Sequence, residues 1–128
     1  MKKTALILNE ESYKIIGACM TVHSELGSGL LEAIYQEALE EEFKIINLSY
    51  TREAPLEVFY KNKPLNKKYQ ADFICQNKII IELKAVSHLE KSHESQIINY
   101  LNITKIKVGL LVNFGKNKLE YKRFVNTK

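Results

Sequence analysis

Residues 78–85 read KIIIELKA, and the interpretation of the chain starts from this stretch. Its apolar residues predict a strand over residues 79–86, in which successive side chains point to opposite faces. Glu82 and Lys84 therefore share one face, and the apolar residues between them line the other. Because burying charge is costly unless the charge is paired or used, a charged pair inside so apolar a strand marks a candidate functional site.

A second carboxylate, Asp72, lies on the preceding predicted strand, residues 69–75. If the connecting loop is the three residues 76–78, Asp72 lies directly opposite Glu82 on the same face. A two-residue loop would shift the register by one and turn Asp72 to the other face. The loop length therefore decides whether the two acids meet.

Two adjacent carboxylates and an ammonium are the groups that a phosphodiester-cleaving site needs. A hard divalent cation such as Mg²⁺ (or Mn²⁺) relieves the repulsion between Asp72 and Glu82, polarises a phosphate and makes a bound water more acidic. Lys84 can orient that water or stabilise developing negative charge. The main-chain carbonyl of Leu83 is a further candidate metal ligand. The alternative is an exposed strand edge whose acid and lysine form an ordinary salt bridge.

The rest of the chain predicts the order helix, helix, three strands, helix, two strands. Apolar residues at helical spacing predict a helix over residues 10–26, which the glycine-rich residues 27–29 end. A second helix has an acidic side and an apolar side, and the apolar side comprises Leu30, Leu31, Ile34, Tyr35, Ala38, Leu39 and Phe43.

The strands alternate with turn residues and with one more helix. Residues 56–60 precede a turn at residues 61–64, and a helix with Ser92 as N-cap carries Ile97, Ile98 and Leu101. The apolar residues 108–114 predict a strand buried on both faces, and residues 119–125 a last strand. We therefore predict an antiparallel meander, a right-handed helical crossover and a small α/β fold with a mixed sheet.

Two further groups of residues extend the candidate site. Gln96 and Tyr100 are four residues apart and share a helix face, with His93 on the same stripe. Glu32 begins the second helix, where an acid ordinarily interacts with the helix dipole. Each group has an ordinary alternative, a polar helix face for the first and a capping residue for the second.

Composition limits the class of protein. The 128 residues, 45% of them hydrophobic, predict one domain over residues 1–128. The apolar run near the N-terminus stops at Leu8 and acids follow it, so we expect a cytoplasmic protein without a signal peptide or a membrane helix. Cys19 and Cys75 are expected to be small buried hydrophobes. The net charge of +4 permits binding of nucleic acid.

Several stretches together resemble the GxxExxY protein family, a branch of the PD-(D/E)xK nuclease-like superfamily. Residues 29–35, GLLEAIY, match the motif that names the family, and residues 22–29 resemble the approach to it. YQAD at 69–72 and IELKAV at 81–86 look like the catalytic core, although Ala71 replaces the motif's proline. HESQ at 93–96 and GLLVNF at 109–114 look like the C-terminal half.

The resemblance implies a restriction-endonuclease-like αβββαβ core, a mixed sheet flanked by helices, with metal on Asp72 and Glu82. Residues 96–100 also look like the Gln-x-x-x-Tyr motif of RecB-type nucleases. By that match Glu32 is an additional acid near the metal, and Gln96 and Tyr100 support the site or its DNA.

We therefore expect a metal-dependent nuclease that acts on nucleic acid, with DNA expected as the substrate in preference to RNA. We expect no membrane partner. Two alternatives stay open: a non-catalytic nucleic-acid- or protein-binding module on the same fold, and a structural or toxin–antitoxin-type interaction protein with a vestigial site. The small size is compatible with a homodimer that grips a duplex.

Overall fold

A computed structural model describes residues 8–127 of the chain, so most of the N-terminal stretch used in the signal-peptide prediction lies outside the described residues. The elements follow the predicted order. They are α1 Asn9–Leu26, α2 Glu32–Ile45, β1 Tyr50–Tyr60, β2 Lys63–Cys75, β3 Ile79–Lys84, α3 Lys91–Thr104, β4 Val108–Asn113 and β5 Glu120–Val125.

The five strands form one mixed sheet in the order β1-β2-β3-β4-β5. β3 and β4 run parallel, with α3 as the crossover between them, and the other neighbours are antiparallel. The predicted restriction-endonuclease-like α/β fold is thereby confirmed, and β3, the strand with Glu82 and Lys84, is its central strand.

The helices cover opposite faces of the sheet. Residues of α1 and α2 pack against Phe73, Ile81, Leu83 and their neighbours, whereas α3 packs against a smaller cluster that includes Ala71 and Ile80. Every residue of β4 is buried, which confirms that this strand has no solvent-facing side. The even-numbered residues of β3, including Glu82, thus point towards α3.

The β2–β3 loop has the length that the site prediction required. Gln76 and Asn77 adopt positive φ angles of 54° and 56°, and the Lys78 N–H donates to the Cys75 carbonyl at 2.9 Å. The recorded Cα pairs run from Cys75↔Ile79 to Phe73↔Ile81. Continuing this register by one residue places Asp72 opposite Glu82, as predicted.

The strict alternation of faces, however, breaks at Asp72. Phe73 packs on the α1–α2 side, but Ala71, two residues before it, packs on the α3 side. On β1, Phe73 and Ala71 pair with Arg52 and Ala54. Glu53, which lies between these two partners, has a positive φ of 52°. Since that region is strained for a residue other than glycine, Asp72 lies at a local distortion of the β1–β2 ladder.

Several predicted details were wrong. Leu30 and Leu31 precede α2, and they and Ile34 are exposed, because the buried side of α2 is narrower than its apolar pattern. The N-cap of α3 is Glu90 rather than Ser92: the Glu90 N–H donates to His93 Nδ1 at 3.0 Å in a capping box. Ile98 is exposed and Tyr100 is buried in its place, because α3 is rotated relative to the predicted stripe.

Strand boundaries also differ from the predictions. β2 begins at Lys63, six residues before the predicted start, since the turn comprises only Lys61 and Asn62. β3 ends at Lys84 rather than at Val86. The two cysteines are free and buried, as expected, and none of the described helices is long and apolar enough to cross a membrane.

Candidate active site

The carboxylates of Asp72 and Glu82 each accept a hydrogen bond from the backbone of the opposite strand. The Asp72 main-chain N–H donates to Glu82 Oε2 at 2.8 Å, and the Leu83 N–H donates to Asp72 Oδ2 at 2.7 Å. Each carboxylate thus binds the backbone of the opposite strand just beyond Phe73↔Ile81, where the β2–β3 pairing stops. The geometry fixes both side chains in the gap between the strands and keeps one oxygen of each for another partner.

Both carboxyl groups are shielded from water, and this raises their pKa values. Burial, followed by the negative charge of Asp72, raises the pKa of Glu82 to about 8 from an ordinary 4.5. Burial also raises the pKa of Asp72, although the hydrogen bond from Leu83 and the charge of Lys84 act in the opposite direction. Two buried acids in contact are costly to ionise together, so the pair favours a nearby positive charge.

Lys84 and Glu32 lie near this pair. Lys84 is partly buried, and its ammonium lowers the pKa values of Asp72, Glu82 and Glu32. Glu32 is exposed as a whole residue, but shielding of its carboxyl group raises its pKa, and the charges of Lys84, Asp72 and His93 also act on it. The structure therefore brings the first residue of α2 to the same edge of the sheet as the end of β3.

Tyr35 and Gly29 explain how α2 is placed. The Tyr35 ring is fully buried and stacks on Phe114, with the ring centroids 4.7 Å apart. Its hydroxyl donates to the Gly27 carbonyl at 2.6 Å and accepts from the Leu30 N–H at 3.2 Å. Gly29 has a φ of 101°, which favours glycine. These contacts hold the loop before α2 and so determine where Glu32 begins the helix.

Tyr100 on α3 lies near the acids and Gln96 lies next to it, but the two are not members of a solvent-facing stripe. Tyr100 is buried, and burial followed by the charges of Glu82 and Asp72 raises its pKa to about 12. Gln96 is partly buried and lines a groove of about 430 Å³ together with Tyr69, Ser92, Ser95, Asn99 and Tyr100. His93, predicted on the same face, caps the helix.

The donor set for a metal is small. Among the described residues, no three His, Cys, Asp or Glu side chains group closely enough to hold a metal ion, so Glu32 does not stand as a third ligand beside Asp72 and Glu82. Two carboxylates with free oxygens, and the neighbouring main chain at Leu83, fit a hard cation that keeps several waters.

Sequence reasoning missed two residues that shape the site. Asn113 is fully buried; its Oδ1 accepts from the Val86 and Gly115 N–H groups, and its Nδ2 donates to the Val86 carbonyl, each at 3.0 Å. It fixes the chain that leaves β3 after Lys84. Gln36 is also buried and donates to the Asp72 carbonyl at 3.4 Å. The one available signal was the polar Asn113 in the apolar strand β4. Gln36 gave none, since its i−4 and i+4 neighbours on α2 are Glu32 and Glu40.

Comparison with known proteins agrees with this architecture. The sequence model of the PD-(D/E)XK nuclease superfamily matches residues 9–124. The crystal structure of SSO0001 is similar with a TM-score of 0.58 and 20% sequence identity, over 94% of this chain and 60% of that one. The chain thus spans less than two thirds of that protein, and the likeness concerns the fold. No functionally curated protein matches the chain. The GxxExxY branch stays a prediction.

Proposed function

Since the chain belongs to the PD-(D/E)XK nuclease superfamily, we propose that it is a nuclease that hydrolyses phosphodiester bonds with Mg²⁺ or Mn²⁺ as its cofactor. We propose DNA rather than RNA as its substrate. We further propose that residues 1–128 form one nuclease-like domain. The observation that carries it is the reciprocal pair of hydrogen bonds between Asp72 and Glu82 and the opposing backbones. An ordinary surface salt bridge does not need two carboxylates fixed side by side and buried.

Asp72, Glu82 and the Leu83 carbonyl would hold the cation. When bound, it supplies a Lewis acid for the phosphate and lowers the pKa of a bound water. The two carboxylates are already fixed by main-chain donors. Little reorganisation is therefore needed for them to bind, which favours a preorganised site.

Lys84 is the proposed partner of the reacting phosphate. Its ammonium lies near both acids and can orient the attacking water or stabilise the negative charge that develops on the phosphate. Glu32 interacts electrostatically with Lys84, and we assign it the role of holding that ammonium in position. It assists without being a metal ligand.

Gln96 and Tyr100 are proposed to orient the substrate. The pKa of Tyr100 is raised to about 12, so its hydroxyl stays protonated near neutral pH and can donate a hydrogen bond. Gln96 lines the groove next to it and offers an amide donor and acceptor. Both therefore suit a phosphate or a base that approaches the two carboxylates from the side of α3.

The test is cleavage of labelled single-stranded, duplex, flapped and branched DNA and of RNA, with Mg²⁺, Mn²⁺ or EDTA. Wild type is compared with Glu82→Gln and Lys84→Ala, and with Glu10→Gln, an exposed acid on α1, as the matched control. Metal-dependent cleavage that both site variants lose and the control keeps supports the nuclease. Binding of nucleic acid without cleavage by a folded wild type would support the non-catalytic module instead.

A further inference from the structure

The tip of the β1–β2 hairpin extends beyond the strands that bury the rest of the sheet. β2 pairs with β3 only as far as Phe73. The pairing of β2 with β1 continues to Tyr60↔Lys63 at the tip of the hairpin. All residues from 61 to 70 are exposed. We call residues 58–70 the hairpin arm. So long an exposed hairpin contributes little to the core and requires another explanation.

The arm carries a concentrated positive charge. It contains four lysines, Lys61, Lys63, Lys67 and Lys68, and no acidic residue, while the whole chain has a net charge of +4. Among the residues that the structure describes, Lys68 is the one arm lysine with an ion pair, since its Nζ lies 3.8 Å from Glu57 Oε2 at the base of the arm. Such a cluster on one element attracts a polyanion.

Aromatic rings are interleaved with these lysines. Phe59, Tyr60 and Tyr69 are 57%, 63% and 52% exposed. The Lys61 ammonium lies 5.5 Å from the centroid of the Tyr60 ring. Large exposed aromatic side chains next to cations form the kind of surface on which unpaired bases stack while the backbone phosphates meet the cations.

The arm leads directly to the two carboxylates. Tyr69 is three residues before Asp72, and its ring centroid lies 5.5 Å from that of Tyr100, the tyrosine that senses the charges of both acids. Tyr69 also lines the groove that contains Gln96. Lys67 lies two residues before Tyr69 on the same strand. A chain bound along the arm would therefore be directed into the groove and on to the acids.

We propose that the hairpin arm and the groove at its base bind single-stranded nucleic acid, with bases stacked on Tyr69 and the tip aromatics and phosphates on the lysines. This inference rests on the proposed function and names its substrate. In a duplex, neighbouring bases cover one another, so exposed rings gain no stacking partner. In a single strand, the unpaired bases can stack on the rings while the phosphates contact the lysines.

Binding is tested without catalysis, by fluorescence anisotropy in EDTA with a labelled oligothymidylate of about 16 nucleotides, the upper site size for one small domain. Wild type is compared with Tyr69→Ala, Tyr69→Phe and the double variant Lys63→Ala/Lys67→Ala. Tyr13→Ala on α1, an aromatic that is 78% exposed, and Lys118→Ala are the matched controls. Melting temperatures establish that each variant is folded.

We expect Tyr69→Ala to weaken binding about tenfold, as loss of one stacked base does, and Tyr69→Phe to retain most of it because the ring remains. The double lysine variant should reduce the slope of log affinity against log salt by about 1.4, or about 0.7 per phosphate contact. The two controls should match wild type, and a duplex of equal length should bind more weakly.

Equal affinity for the duplex, or control variants that lose as much as the arm variants, would overturn the inference. So would a dimer in sedimentation that dissociates in the arm variants while binding of the oligonucleotide is unchanged, since the arm would then bind a second copy of the chain. Arm-dependent binding without any cleavage leaves this inference intact and refutes the nuclease. Cleavage together with binding that the arm variants do not weaken would refute this inference and leave the proposed nuclease intact.

Discussion

The two halves of β2 differ in burial, in pairing and in composition. Residues 71–75 alternate between buried and partly buried, and residues 73–75 pair with strands on both sides, whereas residues 63–70 are exposed and pair with β1 alone. Asp72 lies where one half gives way to the other. One half therefore holds the fold together and the other is exposed, and our proposals assign nucleic-acid binding to the exposed half and the active site to the junction.

The buried half should dominate stability, which is the largest effect we expect. Phe73 is fully buried against Phe43 and Tyr50, so Phe73→Ala should lower the free energy of unfolding by about 3–5 kcal/mol. Leu65→Ala in the exposed half, where the side chain is 40% exposed, should change it by less than about 0.5 kcal/mol. Urea denaturation measures both, and equal losses would remove the distinction between the halves.

The junction should dominate activity. Lys84→Ala removes the one ammonium that acts on all three acids, and we expect cleavage to fall about 100- to 1,000-fold, as when one electrostatic stabiliser of a transition state is removed. Steady-state cleavage rates measure this, with Lys118→Ala as the control. A variant with a wild-type rate would exclude Lys84 from the reaction.

The junction should also make the metal-free protein sensitive to pH. The folded pKa of Glu82, about 8, lies above its ordinary 4.5, so the folded state binds the extra proton between these values. Stability should then fall as pH rises from 4.5 to 8. Glu82→Gln, which carries no charge, should flatten this dependence and gain about 1–3 kcal/mol at pH 8. Parallel pH profiles of melting temperature for both proteins would contradict this origin.

The smallest effect we expect concerns the loop that positions Glu32. Tyr35→Phe keeps the buried ring but removes hydrogen bonds to Gly27 and Leu30, which should cost about 1 kcal/mol. If the loop serves to place Glu32, the cleavage rate should decrease as well, although Tyr35 lies in the core. Thermal unfolding and cleavage of the same sample separate the two effects, and lower stability at an unchanged rate would limit Tyr35 to the fold.

The element order could be predicted because it depends on local signals, and periodicity identified the helices and strands. The register was left to the length of the loop at residues 76–78, and the structure decides it for the three-residue loop. The reciprocal bonds of the two carboxylates to main-chain N–H groups could not be foreseen, because they depend on where the ladder stops and on the distortion at Glu53.

The buried polar residues escaped prediction for a related reason. Asn113 ends an apolar strand and Gln36 lies among the acids of α2. Only the packing of α2 against β2, and of β4 beside the end of β3, gives these two residues their partners. The position of Tyr100 was misread because helical spacing alone does not determine how α3 is rotated against the sheet. The length of the hairpin arm was missed because lysines and asparagine made it resemble a turn.

The central claim is that the carboxylate pair at the junction of β2 binds a divalent cation, and titration calorimetry with Mn²⁺ tests it most directly. The variants Asp72→Asn and Glu82→Gln keep the size and one acceptor oxygen of the wild-type side chains but remove the charge, and Glu10→Gln is the control. We expect saturable binding in wild type and control that both site variants lose. Absence of binding in folded wild type, or equal binding in Asp72→Asn and Glu82→Gln, would contradict the claim.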